Sequence, residues 1–234
     1  MSVLPRTPEP EVMDSEAEAR DYDSMDHEQV NACFCADLLV VQPRPRRVLD
    51  AGAGTARIAI ELCRRSHETS VEAIDLARHM LALAARNVQR AGMEVRIRLA
   101  RVDAKATTWP AGSFDTVISN SLVHHIPDPC AVFAEMWRLV GDGGVLFVRD
   151  LARPGDSVQI ERLAARYATP PEGNRASADG EVTAMHARQR ALFVASLHAA
   201  LTVDEVRAMI APLGVPGAAV RMTSDRHWTL AHLR

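Results

Sequence analysis

Three aspartates, two glycines and a pair of adjacent histidines carry the chemistry legible in this chain. Asp50, Gly52 and Gly54 stand two residues apart inside the stretch 46–63, RRVLDAGAGTARIAIELC. Val48 and Leu49 close a short apolar run before them, and Ile58, Ile60 and Leu62 continue into a helical pattern after them. A strand, a glycine loop and a helix in that order open a nucleotide-binding α/β unit. Gly52 and Gly54 allow a tight turn and a close approach of backbone to ligand. Two departures narrow the ligand. A dinucleotide loop places a third glycine at position 57, where this chain has Arg57. Asp50 sits where a pyrophosphate would lie, and a fixed carboxylate repels a diphosphate. It suits instead a ligand bearing an ammonium group and a sulfonium.

The acids recur. Asp75 ends the run SVEAIDL and Asp103 ends EVRIRLARVD, so Asp50, Asp75 and Asp103 each close a successive strand. Open α/β sheets bind ligands outside the carboxyl ends of their strands, which puts the three carboxylates in one array. A single aspartate at a strand end is equally a turn former. Three in a row behind D-x-G-x-G are harder to read that way.

With those residues in view, the chain resembles the class I, Rossmann-like S-adenosylmethionine-dependent methyltransferases, whose first motif has the form D-x-G-x-G. The resemblance covers 46–234, with motif detail up to about residue 153. It implies S-adenosylmethionine as cofactor and S-adenosylhomocysteine as product. By the resemblance Asp50, Ala51, Gly52 and Gly54 accommodate the amino-acid moiety, and Asp75 accepts the two ribose hydroxyls, which a carboxylate does well. Leu76 lies near the adenine, Asp103 accepts from its N6 amine with Ala104 alongside, and Asn120 lines the channel near the methyl group. The segment ISNSLVHHIPDP after the fourth strand resembles the corresponding run of small-molecule methyltransferases. His124 or His125 is there a candidate base for an oxygen or nitrogen nucleophile, with His125 favoured because one of two neighbours points away. The alternative is an imidazole that caps the turn. No N-P-P-Y tetrad accompanies Asn120, which sets the chain apart from enzymes acting on base or glutamine amide nitrogens. Asp150 sits where the family often faces its acceptor, and Arg149 or Arg153 could pair an acidic group on it; a salt-bridged strand exit is the competing reading.

Around these residues, strands and helices alternate from Arg46 onwards. That pattern predicts a doubly wound, mostly parallel seven-stranded sheet with helices on both faces and an antiparallel last strand. The helical stretch 152–201 reads as an insertion after strand five covering the acceptor pocket. Residues 202–215 predict a helix that Thr202 and Glu205 begin in capping-box spacing. Residues 1–45 read as a mobile tail, 1–10 with its three prolines, followed by lid helices in which Tyr22, Met25, Asp26 and His27 face the pocket. Tyr22 and His27 are the candidates for substrate contact.

A net charge of −3 disfavours extended nucleic-acid binding. Neither a signal peptide nor an apolar run of membrane-spanning length is evident, so a cytoplasmic location and no membrane partner are expected. Cys33, Cys35, Cys63 and Cys130 lack metal or disulfide spacing, and no bound metal is expected. The reading is methyl transfer to a small-molecule acceptor. The alternatives are an RNA or protein methyltransferase and a non-catalytic S-adenosylmethionine-binding protein of the same fold.

Overall fold

The computed structural model describes residues 4–9, 14–25, 28–168 and 180–234, the side chains of the last segment from residue 183. Asp26, His27 and the breaker-rich 169–179 lie outside the described residues, so the expectation for His27 falls there too.

Seven strands form one sheet: β1 Arg47–Ala51, β2 Ser70–Asp75, β3 Ile97–Arg101, β4 Phe114–Asn120, β5 Val140–Leu151, β6 Val220–Met222 and β7 His227–Leu233. Their order is β3-β2-β1-β4-β5-β7-β6. The first five run parallel, and β7 lies antiparallel between β5 and β6. The chain order reverses between β1 and β4, so a crevice opens beyond their carboxyl ends.

Strand alternation distributes the core. On β1, Val48 packs with Phe34, Leu38, Leu62, Val71 and Phe147. The next residue, Leu49, joins Phe133, Met136, Leu139, Ile210 and Trp228 on the opposite face. The first set is covered by α2 (Glu28–Val41), α3 (Arg57–Arg65) and α4 (Arg78–Ala91), the second by α5 (Pro129–Leu139) and α8 (Val203–Ile210). Burial on both faces is the physical content of a doubly wound sheet. Gly92 closes α4 in the left-handed conformation, and Thr202 and Glu205 form the expected capping box on α8.

Two local readings are corrected. The pattern TARIAIELCRR predicts a helix beginning at Thr55, but α3 starts at Arg57. Gly52 and Ala53 donate their N–H groups to Ile74 O at 2.9 Å, and Ala56 N closes on Ala53 O, so 52–56 are consumed by a turn. The N-terminus is also no free tail over its described part. Pro5 and Pro8 favour an extended path, and 4–9 lie as a strap against the body. Thr7 N donates to His198 O, and Arg6 donates to the carbonyls of Ala199, His124 and Ile126. Leu4 packs beside Leu151, Ile160, Leu197 and Ala200.

The stretch after β5 holds α6 (Ser157–Tyr167) and α7 (Gly180–Ala199). Helix α1 (Glu16–Asp23) packs on α4 through Ala19, Ala77 and Met80. Asp21 of α1 pairs with Arg188 of α7 at 2.9 Å and accepts from Gln189 at its carbonyl.

Candidate active site

Beyond β1, β2, β3 and β4 lies a cleft of about 740 Å³. Gly52, Gly54, Asp75, Leu76, Asp103, Ala104, Asn120, His125 and Tyr22 all reach its wall. The fold therefore gathers most of the sequence-expected residues, drawn from five separate segments. Tyr22, Gly52 and Asn120 are shared with a second recess of about 370 Å³, which Asp50 lines with Asn31, Thr55 and Arg57.

The glycine loop is built against two neighbours. Gly52 has φ +74°, and a Cβ there would lie 2.7 Å from Leu122 Cδ1. The missing side chain thus makes room for a protein contact as well as for ligand. Gly54 has φ +53° and donates its N–H to Asp75 Oδ2 at 2.8 Å. Asp75 Oδ1 accepts from Ala77 N, also at 2.8 Å. One carboxylate therefore ties the glycine loop to the start of α4, leaving each oxygen with unused acceptor capacity. Burial raises the Asp75 pKa, with the backbone N–H bonds working against that rise.

Asp50 is the more strained acid. It is 2% exposed, its Oδ2 has no hydrogen-bond partner, and burial with repulsion from Asp75 pushes its pKa up to about 7. A buried carboxylate oxygen left unbonded is costly unless a donor arrives from outside. Asp103 Oδ1 accepts from Lys105 N at 2.9 Å and pairs with Lys105 Nζ at 3.1 Å. Tyr22 closes the cleft from above; burial and the nearby Asp75 and Asp50 push its pKa up to about 12. Ser121, next to Asn120, holds φ +56°, an uncommon conformation for a residue with a side chain.

The two histidines separate. His125 reaches the cleft, with its Nδ1 2.9 Å from Glu9 Oε2. His124 is 3% exposed and bonds through Nδ1 to Asp150 Oδ1 at 2.5 Å. Burial works against the charged form of His124, but Asp150 outweighs it and raises its pKa; the same pairing lowers the pKa of Asp150. Burial and the neighbouring His124 lower the pKa of His125. The rings lie 4.0 Å apart, tilted by 38°.

Four further expected contacts, Asp150, Arg153, Arg149 and Ala51, are not brought to the cleft. Asp150 is a buried counter-ion for His124, 1% exposed. Arg153 is held by Ala200 O and Glu205, and Arg149 by Asp37 and Thr229. These arginines balance local charge, so neither is aimed at an acceptor. Ala51 is buried within β1, where its carbonyl accepts from Ser119 Oγ at 2.8 Å. Residues that pattern reading missed are Met80, Val102, Leu122 and Ile126, which give the cleft its apolar wall, and Glu9. Glu9, His124 and His125 bring one ligand-type atom each within 4.8 Å of one another, a grouping absent from the sequence spacing.

A mostly parallel sheet with this strand order, a glycine loop after β1 and acids at the carboxyl ends of β1 and β2 and just past β3 define the class I, Rossmann-like methyltransferase fold. Residues 48–144 match the family model described as a methyltransferase domain. That match, less than half of the chain, is a likeness to methyltransferase domains from its first strand into its fifth. It is 36% identical over 129 residues to a phosphatidylethanolamine N-methyltransferase of Cereibacter sphaeroides, covering 54% of this chain and 62% of that one. It is 33% identical over 121 residues to a ubiquinone biosynthesis O-methyltransferase of Xanthomonas euvesicatoria pv. vesicatoria, covering 52% and 49%. The chain thus spans about half to three fifths of the length of these relatives. Among solved structures, a SAM dependent methyltransferase from Aquifex aeolicus superposes with a TM-score of 0.62 at 13% identity, over 94% of this chain and 98% of that one. At that identity the superposition speaks for the fold alone.

Proposed function

We propose that the protein is an S-adenosylmethionine-dependent methyltransferase acting on a small-molecule acceptor. The observation that carries the reading is the unpartnered Oδ2 of buried Asp50 behind the glycine loop, with Asp75 and Asp103 on the adjoining cleft. A cationic amino group answers the first, a vicinal diol the second and an exocyclic amine the third. S-adenosylmethionine carries all three. When bound, it supplies a methyl carbon made electrophilic by a sulfonium, and S-adenosylhomocysteine is the product.

In this reading Asp50 neutralises the ammonium, with Gly52 and Gly54 letting the backbone approach. Asp75 holds the ribose, Leu76 and Ala104 flank the adenine, Asp103 accepts from its amine, and Asn120 stands near the transfer path. Tyr22 covers the cleft and excludes water. Displacement at a methyl group needs alignment above all. For a protonated oxygen or nitrogen acceptor, His125 takes the proton, and its lowered pKa keeps it neutral and ready at physiological pH. His124 supports it from behind rather than touching substrate.

Residues 1–45 and the helical insertion 152–201 are proposed as the acceptor-side cover over the domain 46–234. The Asp21 pairings with Arg188 and Gln189, which join α1 to α7, support that reading. The names of the two relatives, one acting on a phospholipid and one in quinone biosynthesis, favour small molecules over RNA or protein, as does the near-neutral charge. Among the described residues no helix is long and apolar enough to cross a membrane; a cytoplasmic location is part of the same proposal. Release of S-adenosylhomocysteine with fractions of a cell extract tests the assignment. Product formed with the small-molecule fraction supports it. Product formed only with RNA or protein transfers the activity to those acceptors, and binding without product in any fraction leaves a non-catalytic binder.

A further inference from the structure

The base reading of His125 leaves open which ring nitrogen holds the proton, and the N-terminal strap bears on it. Glu9 Oε2 lies 2.9 Å from His125 Nδ1, a charged contact in which the ring N–H is not aligned for a hydrogen bond and Nδ1 has no other partner among the described residues, and Ser196 Oγ of α7 donates to Glu9 Oε1 at 3.1 Å. His125 Nδ1 is shielded from solvent, and Nε2 forms no hydrogen bond with a described residue. The strap itself is anchored on both sides of this contact. Arg6 donates to His124 O at 3.0 Å and Ile126 O at 2.8 Å, bracketing His125, while Thr7 is tied to α7.

We infer, on top of the methyltransferase reading, that Glu9 is a positioning residue: its carboxylate holds the imidazole proton of His125 on Nδ1, so that Nε2 presents the lone pair to the acceptor in the cleft. An ionised carboxylate can only accept, so the nitrogen it faces must be the donor. In the proton step the acceptor O–H or N–H bond breaks with its electron pair left on the acceptor atom. A new N–H bond forms at Nε2, and the imidazolium charge is met by Glu9.

The groups facing His125 are consistent with that order. Burial disfavours ionisation of Glu9, but contact with His125 prevails and keeps its pKa below the ordinary value. His124, whose charged form Asp150 of β5 favours, opposes a second positive ring, while Glu9, and more weakly Asp150, favour one. Asp75 at the end of β2 also feels the charge of His125. A metal ion held by Glu9 and the two histidines is the competing occupant. It would require His125 Nδ1 to be deprotonated, so the tautomer of the free protein separates the two readings.

The proton's place can be read without methyl transfer. Long-range 1H–15N correlation spectra of the full labelled chain report the tautomer and titration of each histidine, with His125 assigned from the His125→Gln spectrum. The parent is expected to carry the His125 proton on Nδ1. Glu9→Gln, whose amide oxygen still accepts, should keep that tautomer while its titration midpoint falls, because the charge favouring imidazolium is gone. Glu9→Ala should move the proton to Nε2 and, once an acceptor is known, slow turnover roughly 10-fold or more, with Glu9→Gln closer to the parent. A parent proton on Nε2, or a Glu9→Ala spectrum matching the parent, overturns the inference. So does a stoichiometric response of both histidines to Zn²⁺ in the parent that Glu9→Ala abolishes. If no acceptor is ever methylated the functional reading fails, and the tautomer result stands apart from it.

Discussion

Asp75→Asn isolates the charge and the acceptor count of the acid at the centre of the cleft. In the parent, opposite oxygens of Asp75 accept from Gly54 N and Ala77 N, each at 2.8 Å. An amide has one oxygen, so whichever way it turns, one of these N–H groups faces an NH2 group. Leaving a partly buried donor unmet costs about 1–3 kcal/mol. Relief of the repulsion between Asp75 and Asp50 offsets part of this in the free protein, so the thermal midpoint should fall only modestly. Binding suffers more. A hydrogen bond to a charged acceptor contributes about 1.5–3 kcal/mol, and a loosened glycine loop adds to that loss. The sum, about 2–4 kcal/mol, is a roughly 30- to 900-fold weaker affinity. Calorimetric titration with S-adenosylhomocysteine measures it, with Asp103→Asn as the comparison, expected to lose roughly 10-fold or less. An Asp75→Asn variant that binds within about threefold of the parent refutes the ribose assignment.

Asp50→Asn should stabilise the free protein while weakening cofactor binding. The folded state holds the Asp50 proton up to about pH 7, whereas the unfolded chain releases it near 3.8, so stability falls as pH rises between those values. Removing that charge should recover roughly 3–5 kcal/mol above pH 7, read as a flatter profile of thermal midpoint against pH. His124→Ala leaves Asp150 as a buried unpaired carboxylate and should cost about 3–5 kcal/mol in denaturant melts. In the parent, the raised pKa of His124 contributes stability that is complete below its unfolded pKa and lost as pH rises through the folded one. The lowered pKa of Asp150 contributes stability that is lost as pH falls through its folded value. Gly52→Ala should lower stability by about 1–3 kcal/mol and abolish cofactor binding, since the new Cβ meets Leu122 at a positive φ. Circular dichroism melts and a cofactor titration check both effects.

The sheet and the glycine-loop side of the cleft are legible because their signals are local. Asp50, Gly52 and Gly54 announce a strand-to-helix turn within five residues, and Asp75 and Asp103 stand at strand ends that hydrophobic runs delimit. The acceptor side is tertiary. Asp150 looked like a cleft residue because it lies near the end of β5, yet its partner is His124, twenty-six positions earlier. Arg153 finds Glu205 across the insertion, which no spacing rule reports. Glu9 lies in a proline-bearing, acidic stretch with the composition of a mobile tail, and contacts from Arg6, Thr7 and Glu9 itself to residues more than a hundred positions away fix it beside His125. Ala51 belongs to the motif by position, yet strand alternation turns it into the core.

Calorimetric titration of the purified chain with S-adenosylmethionine near neutral pH tests the cleft assignment most directly. One molecule should bind per chain, with an affinity that collapses in Asp75→Asn, and with proton release as the ammonium group draws the charge out of Asp50. NAD, which brings a diphosphate to that carboxylate, should give no heat of binding under the same conditions. Absence of S-adenosylmethionine binding at millimolar concentration, or NAD binding as tightly, contradicts the account.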